Sequence, residues 1–116
     1  MLDSVTMNAM SSALDGFAAA QRAISNNIAN VNTPNYQAQE VDFADVLARS
    51  VAAGSGALPS SAFAPTPSLD PTNLNGNNVS LQQETSAEIS NGLKFQVASQ
   101  AITEQLNELR SAATVN

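Results

Sequence analysis

Hydrophobic residues in the first third of the chain recur at alternating steps of three and four. A mean period of about 3.5 is typical of a helix that packs along a narrow apolar seam, as in a coiled coil. Asp3 or Ser4 can cap the start of this helix, and Pro34 predicts that it ends near Asn30. The seam consists of Met7, Met10, Leu14, Phe17, Ile24, Ile28 and Val31, with Gln21 in the one position that lacks an apolar residue.

A second long helix is predicted at the end of the chain. Ser80 can cap its first turn, and Gln83 follows at the spacing of a capping box. Ile89, Leu93 and Val97 form one apolar stripe, and a second stripe lies roughly on the opposite side, formed by Phe95, Ile102, Leu106 and Leu109. A helix that is apolar on two sides needs two partners. We expect one of them to be the N-terminal helix and the other to be another subunit.

The chain between the two helices is less regular. Tyr36, Val41 and Phe43 favour an extended segment, and Asp42 is the expected cap of a short helix that follows. Residues 50–78 are rich in Pro, Gly, Ser and Asn and have no hydrophobic periodicity. Since ordered loops are rarely this long, we expect a flexible spacer here, with a tight turn at Asn75 and Gly76.

The predicted fold is therefore all-α. Two long terminal helices form a coiled-coil-like pair, and they are joined by the extended segment, the short helix and the flexible spacer. This divides the chain into an N-terminal helix (residues 1–33), an extended and short-helical segment (34–49), a spacer (50–78) and a C-terminal helix (79–116).

Composition excludes several kinds of function. The 116 residues include no cysteine and no histidine, so disulfides, zinc ribbons and Ser-His-Asp triads are absent. Only four cations are present and the net charge is −6, which argues against nucleic-acid binding. No apolar run approaches the roughly 20 residues of a membrane span, so we expect no membrane insertion. We predict no enzymatic activity, no cofactor and no metal site.

Two local features call for a packing explanation. Asn26 and Asn30 lie side by side on the helix face away from the apolar seam, and Asn27 lies between them in sequence. They are either a solvated face with a C-terminal cap or amides that bond to neighbouring subunits and set their register. Gly16 and Gly92 fall inside predicted helices, where each costs about 1 kcal/mol relative to alanine. We favour close packing at both glycines over a kink.

The segment Ser-Asn-Asn-Ile-Ala-Asn-Val-Asn-Thr-Pro-Asn-Tyr at residues 25–36 closely resembles the N-terminal signature of bacterial flagellar rod and hook proteins. Residues 40–43, 76–81 and 91–96 are similar to segments of a proximal rod protein of that family. The resemblance covers about residues 10–49 and 76–112. Asn35 stands where the family commonly has glycine, but asparagine tolerates the left-handed conformation better than other side chains. Phe95 stands where the family often has tyrosine.

The resemblance implies a structural subunit of the proximal rod of the flagellar basal body. Such subunits assemble helically with copies of themselves and other rod proteins, and an adaptor protein joins them to the membrane-embedded ring. They pass through the flagellar type III export apparatus uncleaved and end up in the rod that spans the periplasm. The N-terminal segment of this chain lacks the basic and apolar regions of a signal peptide, which agrees with that route.

We expect the assembly interface to lie on the two terminal helices. Its predicted members are Met10, Leu14, Phe17, Ile24, Asn26, Asn27, Ile28, Asn30, Val31, Leu93, Phe95, Val97, Ile102, Leu106 and Leu109. The turn of the signature comprises Asn32, Thr33, Pro34, Asn35 and Tyr36.

Two alternatives remain open at this point. Another flagellar axial protein, either the second proximal rod component or a distal rod protein, would share the asparagine-rich signature. A small helical secretion chaperone or binding module would instead fold alone as a stable monomer. Circular dichroism distinguishes the latter, because a chaperone would melt cooperatively, whereas the helicity of a rod subunit would rise with its partner.

Overall fold

A computed structural model describes residues 4–114 as an elongated molecule of 68 × 26 × 16 Å. Three α-helices account for most of it: α1 (Ser4–Ala29), α2 (Ala44–Ala52) and α3 (Leu81–Thr114). Two short strands, β1 (Gln39–Glu40) and β2 (Thr66–Pro67), pair antiparallel, and a 3₁₀ turn lies at Ser60–Phe63. The prediction of a mostly helical chain with two long terminal helices is confirmed.

The two long helices run antiparallel. Asn27, near the end of α1, bonds to Glu84, near the start of α3. Asn91, seven residues later on α3, donates to the main-chain oxygen of Phe17, which lies ten residues earlier on α1. At about 1.5 Å per residue, the 34 residues of α3 extend about 51 Å. The 26 residues of α1 extend only about 39 Å, so the last turns of α3 project beyond the start of α1. None of the described helices is long and apolar enough to cross a membrane.

The ends of the helices show which local predictions hold. The side-chain amide of Asn30 donates to the main-chain oxygen of Asn26 at 2.8 Å, and α1 ends one residue before Asn30. Ser80 Oγ accepts the N–H of Gln83 at 3.3 Å, as predicted for a cap. The prediction for Asp42 is wrong: Phe43 is the capping residue of α2, and no side chain caps that helix. Asp3, the other candidate cap of α1, lies outside the described residues.

α1 lies between α3 and the middle of the chain. Phe43, which is buried, sits against Gly16 and packs edge-on against Phe17 with ring centroids 5.3 Å apart. One turn towards the N-terminus, Ser12 Oγ donates to the main-chain oxygen of Gly56 at 2.8 Å. Small residues along this face of α1 therefore let the middle segment approach the helix closely.

Residues 50–78 are more ordered than the expected flexible spacer. β2 in this segment pairs with β1, and Asn78, which is buried, holds the chain on either side of that pair. Its amide nitrogen donates to the main-chain oxygens of Ser68 (3.3 Å) and Asp70 (3.1 Å), while its Oδ1 accepts the N–H of Ala38 at 2.6 Å. Side-chain amides thus satisfy backbone groups that regular secondary structure would otherwise pair. The predicted tight turn is present, with Gly76 in the left-handed region at φ 80°.

Candidate assembly interface

Asn27 joins three elements at the C-terminal end of α1. It is only 1% exposed. Its Nδ2 donates to the main-chain oxygen of Gln39 (2.9 Å) and to Glu84 Oε1 (3.0 Å). Its Oδ1 accepts the N–H of Gln39 (2.8 Å) and the hydroxyl of Tyr36 (3.3 Å). Both ends of this amide are therefore occupied within the chain, where the sequence had predicted bonds to neighbouring subunits.

Asn77 closes the end of α1 from the other side. It is also 1% exposed, and its Nδ2 donates to the main-chain oxygens of Asn30 (2.9 Å) and Thr33 (2.8 Å). Its Oδ1 accepts the N–H of Val79 at 2.7 Å. Carbonyls at a helix C-terminus lack partners within the helix, so this side chain stabilises the exit from α1. Asn77 is not among the residues predicted from the sequence, although a run of asparagines ahead of a helix cap is a signal for side chains that bond the backbone.

The signature turn, residues 32–36, connects these two amides. Asn35 adopts φ 62°, which confirms that asparagine takes the left-handed position here. Its N–H donates to the main-chain oxygen of Asn75 at 2.9 Å, and Gly76 lies directly against its side chain. Asn32 and Pro34 are exposed, and Tyr36 reaches Asn27 through its hydroxyl.

The predicted apolar seam runs along α1, and Gln21 in the same row contacts α3. Ile24 is buried, and Asn26 is exposed. Among the other predicted members, Met10, Leu14, Phe17 and Ile28 on α1 are half-buried, and so are Asn30 and Val31 directly after it. The seam of α1 is thus only partly covered by the rest of the chain.

α3 meets α1 through polar and small side chains. Asn91, which is buried, donates to the main-chain oxygen of Phe17 (2.9 Å) and to Gln21 Oε1 (3.2 Å). Gln21 in turn donates to Glu88 Oε1 at 3.2 Å. The predicted stripe of Ile89, Leu93 and Val97 is 59–67% exposed and does not pack on α1, and the bonds of Asn91 and Gln21 join the two helices instead. Gln21, which interrupts the apolar seam, is explained by its bonds to α3.

The large apolar side chains of α3 point mainly into solvent. Ile102 is half-buried, and the other predicted members of the two stripes are exposed by 41–67%: Ile89, Leu93, Phe95, Val97, Leu106 and Leu109. Scattered apolar residues are ordinary on a protein surface, but contiguous rows of them mark interaction sites. The exposed rows of α3 are the best candidate for an interface with other molecules.

Glu84 is the titratable group most affected by this arrangement. Burial raises the pKa of its carboxyl above the ordinary 4.5, the hydrogen bond from Asn27 lowers it, and the charge of Glu40 raises it further. The folded chain therefore holds this proton more tightly than the unfolded chain does. Binding of this proton therefore stabilises the folded chain. The stabilisation is fully present below pH 4.5 and is lost as the pH rises through the folded-state pKa of Glu84.

We expect Glu84→Gln to raise the midpoint of urea unfolding at neutral pH. A glutamine oxygen can still accept the bond from Asn27, but it carries no charge to desolvate or to repel Glu40. The gain should shrink as the pH falls through the folded-state pKa and should vanish well below pH 4.5, where Glu84 is protonated in both states. The matched control is Glu108→Gln, an exposed carboxylate on the same helix. A gain for Glu84→Gln that does not depend on pH would contradict this explanation.

The chain is similar in sequence to known proteins of the bacterial flagellum. The family model for "Flagella basal body rod protein" matches residues 7–37, which comprise most of α1 and the signature turn. The flagellar basal body rod proteins FlgB of Escherichia coli (strain K12) and of Shigella flexneri are each 31% identical to the chain over 113 residues. Each alignment covers 81% of this chain and 82% of the relative.

Proposed function

Because this chain belongs to the FlgB family of flagellar basal body rod proteins, we propose that it is a subunit of the proximal rod that assembles helically through its terminal helices. Membership of this family makes it a structural protein of the flagellar basal body, with a role in motility, and not an enzyme. Association with other rod components follows from the family as well. Family membership does not itself fix the position of the chain in the proximal rod or its mode of assembly, and these two points are what we propose.

The observation that carries the proposal is the exposure of apolar side chains along α3. Leu106 and Leu109 lie near the C-terminal end of α3, and they are 45% and 51% exposed. The described part of the chain leaves these apolar side chains exposed, so a neighbouring subunit is the natural partner. The partly covered seam of α1 supplies a second contact surface of the same kind.

Several features of the family's assembly are included in the proposal. The chain would contact other rod proteins and the adaptor that joins the rod to the membrane-embedded ring. It would pass through the type III export apparatus without cleavage and would lie in the rod where it spans the periplasm. We propose that residues 1–33 and 79–116 form the rod wall as coiled-coil layers, while residues 34–78 lie outside them.

The alternatives are less well supported. A secretion chaperone would not be expected in this family. A distal rod protein would carry a folded domain between the helices, whereas the middle segment here consists of α2, a 3₁₀ turn and the two-residue strands β1 and β2. The second proximal rod component remains the closest competitor, and locating the chain in purified basal bodies would separate the two.

We expect Leu106→Asp to abolish swimming and incorporation into basal bodies. The side chain is 45% exposed in the single chain, so a charge there leaves the monomer folded but disrupts an apolar contact with a neighbour. Complementation of a strain that lacks the protein, followed by soft-agar motility and immunoblotting of basal bodies, measures the effect. The matched control is Asn107→Asp, which adds the same charge at the adjacent exposed residue and should swim normally. Normal rods with Leu106→Asp would refute assembly through this part of α3.

A further inference from the structure

The two helix-interior glycines differ in what surrounds them. At Gly16 a methyl group would collide with the ring of Phe43, so the helix needs glycine there. At Gly92 a methyl group would meet no atom within 4 Å. Glycine costs about 1 kcal/mol relative to alanine inside a helix, and nothing in the single chain compensates for that cost at Gly92. A close approach of another molecule would explain it.

Gly92 forms part of an open groove between α1 and α3. The groove has a volume of about 540 Å³, and Phe17 and Phe95 provide its apolar walls. Arg22 lines it as well, and none of the described residues that line it is a carboxylate. The α1 wall runs from Phe17 to Asn26, a length of about 14 Å.

The apolar stripe formed by Ile89, Leu93 and Val97 matches this groove in length. Its three side chains recur every four residues and span about 12 Å along α3. They are 62%, 59% and 67% exposed. At about 100° per residue, Leu93 lies about 160° around the helix from Phe95, so the stripe and the groove face in nearly opposite directions.

Charge also favours a match between the two surfaces. Glu104 lies seven residues after Val97 and continues the line of the stripe. Both Glu104 and Arg22 are exposed, and among the described residues neither has an ion-pair partner. The groove thus offers an unpaired cation, and the stripe is followed by an unpaired carboxylate.

We propose that the groove of one copy of this chain receives the stripe of a second copy, with Leu93 seated near Gly92. The inference rests on the proposed function and names the partner of its assembly surface. Since the two surfaces differ and lie on opposite sides of α3, the contact is head-to-tail and leaves one groove and one stripe free in every dimer. Contacts of this type continue into rings or helical filaments and do not stop at a symmetric dimer.

Two variants that each lose one surface test the proposal. Leu93→Asp removes the stripe and keeps the groove, whereas Gly92→Phe fills the groove and keeps the stripe. Each variant alone should sediment as a monomer, and an equimolar mixture should form a one-to-one dimer and nothing larger. The wild-type chain should associate without a fixed end point as its concentration rises. Ala48→Asp, at an exposed position on α2 away from both surfaces, should behave like the wild type.

A charge exchange tests the orientation of the contact. Arg22→Glu and Glu104→Arg should each weaken association of the wild-type chain by about twofold to fivefold, the range expected for an exposed ion pair. The double variant should recover most of the loss, because the two opposite charges again face each other across the contact. If the double variant is weaker than both single variants, Arg22 and Glu104 do not meet.

The other outcomes separate this inference from the proposed function. A mixture of Leu93→Asp and Gly92→Phe that stays monomeric overturns the contact between copies. If both variants nevertheless abolish rod assembly in cells, the proposed function stands and the surfaces contact other rod proteins. Self-association of Gly92→Phe alone would mean that the stripe pairs with itself, which also overturns the proposal. A mixed dimer from variants that both swim normally supports the contact and counts against the proposed function.

Discussion

Replacement of Asn27 by alanine is expected to lower the free energy of unfolding by about 3 kcal/mol. The substitution removes four hydrogen bonds, two of them to the backbone of Gln39, in a site that is almost fully shielded from solvent. A buried donor or acceptor left without a partner costs about 1–3 kcal/mol. The amide of Asn27 bonds both the N–H and the C=O of Gln39, so the substitution leaves one backbone donor and one backbone acceptor without a partner. Urea unfolding followed by circular dichroism measures the change.

The neighbouring asparagine provides the control. Asn26 has an exposed side chain, so Asn26→Ala should change the free energy of unfolding by no more than about 0.5 kcal/mol. Asn27→Asp should also destabilise the chain, because it keeps the acceptor for Gln39 but places a carboxylate where an amide donates to Glu84. Equal stability of Asn26→Ala and Asn27→Ala would show that the amide does not hold α1, β1 and α3 together.

The same substitution at two glycines should have opposite effects. Gly16→Ala is expected to destabilise the chain by about 2 kcal/mol, because the new methyl group collides with Phe43, whose ring cannot move away without disturbing Phe17 and Phe63. Gly92→Ala is expected to stabilise the chain by about 1 kcal/mol, since its methyl group meets open space and alanine favours the helix. Thermal or urea unfolding of the two variants gives the comparison directly.

A second-site change distinguishes overpacking from other causes of instability. Phe43→Leu removes ring atoms in contact with Gly16, so it should cost less in the Gly16→Ala background than in the wild type. Strictly additive losses would mean that the two residues do not interact. Destabilisation by Gly92→Ala would contradict the open surface found around that residue.

The long helices could be predicted because their signals are local. Alternating steps of three and four define α1, and Pro34 and Asn30 mark its end within one residue. Ser80 caps α3 as its spacing with Gln83 predicts. Asn35 could likewise be assigned to the left-handed region, because few other side chains tolerate it.

Other features depend on contacts between distant parts of the chain. Periodicity locates the apolar stripes of α3 but does not identify the face that meets α1, which is set by Asn91 and its bonds across 74 residues to Phe17. Asn26 and Asn27 are alike in sequence, yet one is exposed and the other is buried by β1 and α3. The order of residues 50–78 depends on Asn78 and on pairing with β1, neither of which leaves a periodic pattern.

The most direct test asks whether α3 is covered by other subunits in the rod. The chain contains no cysteine, so Val97→Cys and the control Ala48→Cys each introduce a single reactive thiol. Both positions are exposed in the single chain, so a maleimide reagent should label both variants rapidly in the purified protein. In isolated basal bodies we predict that the thiol of the Val97→Cys variant is protected, while the thiol of the Ala48→Cys variant still reacts. Equally rapid labelling of both variants in basal bodies would contradict assembly through α3.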